Sequence, residues 1–201
     1  MSQPASPERS KTCSQYYSPL SLRILLAFLC ALCCLASATL LAGDTDNDLE
    51  YAFKSAVLAK LVRFVEWPVE SAPVDTVTLC LAGPDPFGRS LEVLSQKQVK
   101  GMRLQVRSLG EAPRSLDGCH LVFFNMDSRS GKTLLERCEE RGVLSVGDRP
   151  GFLEAGGMVH LQLVERKIQI SVNRSAVERS PLHVSALIYQ LARVVTDSRG
   201  H

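Results

Sequence analysis

From Leu49 onward, apolar residues recur at steps of three and four: Leu49, Phe53, Ala56, Val57, Leu61, Phe64 and Val65, with Glu50, Lys54, Lys60 and Arg63 on the other side. This spacing predicts an amphipathic helix of about five turns whose apolar stripe faces a core. Pro68 stops it and biases Trp67 toward an extended conformation. The polar, acidic residues 39–48 read as a flexible lead-in, and "VESAPVD" after the helix as a linker.

The period then alternates between two and three-to-four. "VTLCLAG" is a short, β-branched run closed by glycine, which predicts a buried strand. "FGRSLEVLSQKQ" predicts a short helix with Phe87, Leu91 and Leu94 on one side. In "MRLQVRSL", Met102, Leu104, Val106 and Leu109 stand against Arg103, Gln105 and Arg107, a half-exposed strand at a sheet edge. "CHLVFFN" is apolar throughout and predicts a central strand. "SGKTLLERCEERG" predicts a helix ending at Gly142, with Arg137 and Arg141 near its negative end. "VLSVGD" is one more short apolar strand. Helices that alternate with apolar strands predict a small, mainly parallel α/β sheet flanked by helices.

The end of the chain departs from that rhythm. "GGMVHLQLVERKIQISVN" predicts an antiparallel hairpin turning near Glu165 and Arg166. On its first strand Met158, His160 and Gln162 share one face and Val159, Leu161 and Leu163 the other, which reads as core. "SPLHVSALIYQLARVV" predicts a terminal helix with Leu182, Ala186, Tyr189, Leu191, Ala192 and Val195 apolar. Residues 49–196 thus form one domain, and 197–201 a tail.

The first forty residues change where this domain is placed. Arg9, Lys11 and Arg23 precede an unbroken apolar run, "ILLAFLCALCCL", which closes on Ala36-Ser37-Ala38. A basic region, an apolar region and a small-x-small site predict a cleavable secretory signal over residues 1–38. The run is short against the roughly 20 residues a membrane span needs. Removing Arg9, Lys11, Arg23 and Glu8 from the 23 basic and 21 acidic residues leaves 20 of each sign. Such a balanced chain lacks the electrostatic footprint of a nucleic-acid binder.

Cleavage there removes Cys13, Cys30, Cys33 and Cys34 and leaves Cys80, Cys119 and Cys138. No Cys or His spacing resembles a zinc site, so no metal or other cofactor is expected. Cys80 lies mid-strand and Cys119 opens the strand expected beside it. Neighbouring strands run about 5 Å apart, within disulfide reach only if the cysteines are level. A bridge needs an offset between the strands; without one, both remain buried thiols. Cys138, on a helix, is expected to stay free.

One stretch, "GPDPFGRS" after the first strand, lies one letter from the phosphate-binding loop G-x-x-x-x-G-K-[ST]. Such a loop cradles phosphate with successive backbone N–H groups, and Pro84 and Pro86 remove two of them. Asp85 adds a negative charge where phosphate would sit, and Arg89 replaces the compact lysine ammonium. The stretch therefore reads as a strand-to-helix turn. Asp85, Asp127 and Asp148 each follow an apolar strand, where acids also serve as caps and turn residues. With Phe87 they outline a candidate ligand crevice beyond the carboxyl ends of the strands.

Taken together, "KSAVLAKLVRFVEWP", "VTLCLAGPDPFGRSL", "GCHLVFF", "VLSVGDRPGFLEAGGMVHLQL", "IQISVN" and "LHVSALIYQLARVV" resemble, in order, the blocks of the YfiR-like periplasmic family. Two departures stand out: "HVSALIYQL" replaces a Ser-Ser-Lys-type helix start, and no cysteines lie between Asp148 and Met158. The resemblance implies a non-catalytic periplasmic repressor that binds the sensory domain of a membrane diguanylate cyclase and lowers cyclic-di-GMP signalling. It further implies sequestration by an OmpA-like outer-membrane lipoprotein, and admits a homodimer. A small-molecule sensor and an exported enzyme using the three acids are the alternatives. Within the C-terminal blocks, Phe152 and Leu153 on a Gly-rich loop, with Met158, His160 and Arg166, are the candidate partner contacts, because aromatics and Met are enriched in interface cores.

Overall fold

The computed structural model describes residues 42–96, 98–127 and 130–196. The chain divides into two compact units, Met1–Asp44 and Thr45–His201. The first, with the expected signal segment, lies almost wholly outside the described residues; the second is the domain described below.

The first helix, α1 (Ala42–Leu61), begins seven residues before Leu49, so most of the expected flexible lead-in is helical. It tightens into a 3-10 turn at Val62–Phe64 and gives way to a two-residue strand, β1 (Val65–Glu66), just before Pro68. Its buried stripe is not the expected one. Lys54, Ser55, Leu58, Leu61, Val62 and Val65 are buried, whereas Leu49 and Phe53 are 42% and 44% exposed. The lower half of the helix is apolar enough to accept either stripe. The upper half is turned by Lys54, which finds a buried carboxylate described below.

The main sheet has eight strands. In chain order they are β2 (Thr76–Ala82), β3 (Gln98–Val99), β4 (Met102–Gly110), β5 (Leu121–Phe124), β6 (Leu144–Gly147), β7 (Val159–Val164), β8 (Lys167–Asn173) and β10 (Arg193–Val195). Their order across the sheet is β10-β8-β7-β6-β5-β2-β4-β3. The run from β4 through β7 is parallel, β7 and β8 form an antiparallel hairpin, and β10 pairs parallel to β8. The mainly parallel α/β expectation and the C-terminal hairpin are both met. The hairpin turns at Glu165 and Arg166, whose φ of 48° and 61° give the left-handed pair that a two-residue turn requires.

β2, β5 and β6 are buried along almost their whole length, as continuous apolar runs predict for strands covered on both faces. Leu79, Leu81, Leu121, Phe123, Leu144 and Val146 point into one core, with Leu58 and Leu61 of α1 and Leu91 and Leu94 of α2 (Arg89–Ser95). Cys80, Ala82, Val122 and Phe124 point into the other, under Leu134, Leu135 and Cys138 of α3 (Lys132–Arg141). Each fully buried Leu or Phe in these layers contributes on the order of 1.5–3 kcal/mol. Gly142 ends α3 with φ 65°, and its N–H reaches the Cys138 and Glu139 carbonyls.

Two expectations about the sheet need correction. β4 is not the outermost strand: β3 covers its first two residues. A bulge also shifts the β2–β4 register, so that Leu81 pairs with Ser108 but Ala82 with Gly110. An extra residue turns the following side chain to the opposite face. Leu109 is that extra residue; an odd number of positions from 102, 104 and 106, it lies on the other face and packs with the second core.

The terminal helix is likewise not one element. Asn173 caps a short helix, α4 (Arg174–Arg179), by accepting from the Ala176 N–H at 3.2 Å. Ser180 and Pro181 end it, β9 (His183–Val184) pairs antiparallel with β1, and Ser185 caps α5 (Ala186–Leu191). Ile188, rather than Ala186 or Leu191, is the residue of α5 that reaches the core. β10 then closes the sheet, its β-branched Val194 and Val195 pairing with a β8 edge that would otherwise lie open.

Candidate functional site

The carboxyl ends of β2, β5 and β6 converge, as the candidate crevice requires, but their side chains turn inward. Gly83 (φ 97°) lies so close to the next strand end that a Cβ there would stand 2.3 Å from the Asn125 carbonyl oxygen. Asn125 Nδ2 donates to the Pro84 carbonyl at 2.9 Å, and Arg149 Nη2 donates to Asn125 Oδ1 at 3.0 Å. Asp85 accepts the Phe87 N–H at 2.8 Å, the turn role that its position suggested. Phe87 is buried edge-on against Phe123 and Tyr51, at 4.7 and 5.2 Å between ring centres. The loop that resembles a phosphate site is held shut by its own neighbours.

Asp148 faces α1. It accepts from Lys54 Nζ at 2.5 Å and from the Tyr51 hydroxyl at 2.8 Å, and Lys54 also pairs with Glu50 at 2.5 Å. Side-chain exposure is 3% for Lys54 and 6% for Asp148. Burial, followed by the hydrogen bond to the Asp148 carboxylate, pushes the Tyr51 phenol up from its ordinary value. Asp127 lies exposed beyond β5. Of the crevice residues, Asp85, Phe87 and Asp148 therefore hold the fold together.

The Gly-rich loop before β7 also turns inward. Cβ atoms on Gly147 and Gly157 would lie 2.6 and 2.1 Å from the Phe152 ring, so these two glycines form the floor on which the ring rests. Phe152, Leu153 and Met158 are 2%, 8% and 0% exposed. This corrects their expected display to a partner: the loop stores its apolar side chains against the sheet. His160 is half-buried, and its Nε2 is buried without a hydrogen-bond partner among the described residues. Arg166 stands exposed on the hairpin turn.

Arg166 does meet an apolar surface, one that periodicity assigned to the core. A groove of about 350 Å³ runs between the first turns of α1 and the hairpin, lined by Asp46, Leu49, Glu50, Phe53, Leu163 and Arg166. Leu49 and Phe53 supply its half-exposed apolar wall. Apolar area rimmed by Asp46, Glu50 and Arg166 has the make-up of a protein-docking patch. Its wall is hidden in the sequence because Leu49 and Phe53 fit a core-facing period. Lys54, one residue from Phe53, was the only local sign of another orientation.

A model described as YfiR/HmsC-like matches residues 51–193. The chain belongs to this family. No curated protein matches it. The YfiR-like family is a regulatory, non-catalytic and periplasmic one, associated with cyclic-di-GMP signalling. No helix among the described residues is long and apolar enough to cross a membrane.

This YfiR-like domain carries a cystine, which suits an oxidising compartment. Cys80 and Cys119 are bridged, with Cα atoms 5.8 Å apart. The strands are not level at the two residues, since Cys80 pairs with Val122. Cys119 instead lies ahead of β5, in a turn closed by its own N–H on the Leu116 carbonyl at 2.9 Å, and that turn carries it back over Cys80. Arg107 Nη2 covers the bridge, 3.1 Å from Cys119 Sγ and 3.5 Å from Cys80 Sγ, while donating to the Asp117 carbonyl. A link across a sequence separation of 39 removes roughly 3–4 kcal/mol of unfolded-chain entropy. Cys138 is free and buried, and burial pushes its thiol pKa upward, away from reactivity.

Proposed function

We infer that the protein is a non-catalytic repressor that binds the periplasmic sensory domain of an inner-membrane diguanylate cyclase, or a receptor of that kind, and holds it inactive. Membership of a cyclic-di-GMP regulatory family supports the class of activity. The observation that carries the binding role is the exposure of Leu49 and Phe53 beside Arg166, on a helix whose other face is buried. A soluble domain gains nothing in stability from wetting a Leu and a Phe, whereas a partner that covers them gains their burial. An OmpA-like outer-membrane lipoprotein that took the same surface would release the cyclase by competition.

The test joins binding to signalling. The chain without residues 1–38 is used to capture membrane extract from the native host, and cyclic-di-GMP is measured in cells carrying wild type or Phe53→Asp. The reading requires capture of a membrane cyclase by wild type, loss of capture by the variant, and raised cyclic-di-GMP in variant cells. Capture of no cyclase, or unchanged cyclic-di-GMP on deletion of the whole protein, refutes it.

A further inference from the structure

The sheet has a second unfilled feature, at its β3–β4 end, whose border reaches Asp85 of the candidate crevice. β3 pairs only with Met102 and Arg103, so the outer side of β4 beyond them has no strand beside it among the described residues. Arg103 donates its N–H to the Asp75 carbonyl at 2.9 Å and so faces β2. By the two-residue period Gln105 and Arg107 face β2 as well, and Val106 and Ser108 turn their N–H and C=O groups outward. No described residue bonds those backbone groups. Edges of this kind accept another strand, and proteins usually cover or twist them.

Here the edge is bordered by a recess. A groove of about 580 Å³ lies along it, between α2 and β4, lined by Asp85, Leu91, Glu92, Leu104 and Val106, with Arg103 at its border. A strand laid beside β4 would put alternate side chains into this groove, over Leu91 and Val106. The intervening side chains would lie on the opposite face, beside Arg103, Gln105 and Arg107. Arg103 is exposed, and none of the ion pairs among the described residues involves it.

We propose that the open edge of β4 is a strand-addition site for an extended peptide with apolar side chains at alternate positions and acidic ones between. Backbone pairing to Val106 and Ser108 supplies affinity, and the alternation supplies orientation. Carboxylates fall beside Arg103, the guanidinium of Arg107 being held over the cystine, while Asp85 and Glu92 repel them from the groove side, so only one face of the peptide fits each way. The same charges oppose a second copy of the chain. Antiparallel pairing of two β4 strands about Gln105 sets Arg103 opposite Arg107, and pairing about Arg107 sets that residue against itself. Pairing about Val106 leaves Arg107 facing Gln105 without a countercharge. Like charges directly opposite destabilise a strand pair. This site is separate from the α1–hairpin groove and stands or falls independently of the repressor reading.

The probe is a capped octapeptide of alternating Glu and Val, added to the isolated chain lacking residues 1–38, with amide hydrogen exchange followed residue by residue. The expected result is protection of the Val106 and Ser108 amides by about tenfold or more, weakened by added salt. Val106→Pro removes an outward donor while leaving the β2 ladder intact, and should abolish protection. Arg103→Glu, which touches no ladder bond, should switch preference to a Lys-Val octapeptide and decides the matter if the proline variant fails to fold. The proposal is overturned if neither amide is protected at millimolar peptide, or if Arg103→Glu binds both octapeptides as wild type does. It is equally overturned if protection appears without peptide as protein concentration rises, which would make the occupant a second copy.

Discussion

The ammonium of Lys54 lies 2.5 Å from the carboxylate of Asp148, with both side chains almost wholly out of water. One comes from the first helix and the other from the end of β6, 94 residues later. Their pairing sets the rotation of α1, because a buried lysine must find its countercharge. The same rotation turns Leu49 and Phe53 outward. A structural ion pair and a candidate docking surface are thus two consequences of one placement.

Removing one partner should therefore cost far more than a surface pair would. Lys54→Met strips buried Asp148 of its countercharge and is expected to lower stability by about 3–5 kcal/mol in urea unfolding, whereas Asp148→Asn leaves Lys54 its pair with Glu50 and should cost less. The double variant should recover part of that loss. A loss below about 1 kcal/mol for both single variants would mean that water reaches the pair.

Phe53 and Phe152 should behave as opposites. Phe152→Ala empties the space over Gly147 and Gly157 and is expected to cost about 3–5 kcal/mol. Phe53→Asp, at a half-exposed position, should change stability by less than about 1 kcal/mol while abolishing partner capture. Thermal melts beside capture assays separate the two effects in a single experiment.

Thiol counting on the chain lacking residues 1–38, unfolded without reductant, should find one reactive thiol, that of Cys138. In the native state that thiol should resist labelling, since burial disfavours the thiolate. Reduction should expose two further thiols and lower stability by roughly 3–4 kcal/mol.

His120 gives the domain an acid sensitivity whose sign follows from its burial. Its Nδ1 accepts the Thr78 N–H at 3.0 Å, and desolvation holds its pKa below the ordinary histidine value of about 6.5. The unfolded chain then binds a proton at a higher pH than the folded one. Stability is complete above about 6.5 and falls as pH drops below it, until the folded imidazole also protonates. Trp67 donates to the His120 carbonyl at 3.0 Å and is the only tryptophan of the chain, so its fluorescence reports the transition. Replacing His120 with Gln should flatten the slope of stability against pH just below 6.5. An unchanged slope would assign the sensitivity elsewhere.

Strands covered on both faces, turns and strand alternation were legible along the chain, because they depend on local period and local chemistry. The apolar runs of β2, β5 and β6, the αL end of α3 at Gly142, the alternation of β7 and β8 and the resemblance to the YfiR-like blocks were all legible in it. A strand buried on both faces cannot hide its composition, and a turn needs residues that tolerate its angles. Tertiary structure alone decided which stripe of α1 is wet, because Lys54 reads as a surface residue until Asp148 is brought beside it. It decided that Phe152 is stored rather than displayed, since Gly147 and Gly157 become a seat for a ring only when strand ends converge. It also brought Cys119 over Cys80 despite an unlevel register, and split the terminal helix to cover the edge of β8. In each case the deciding partner lies far along the chain, and a contact of that kind leaves no period in the sequence to read.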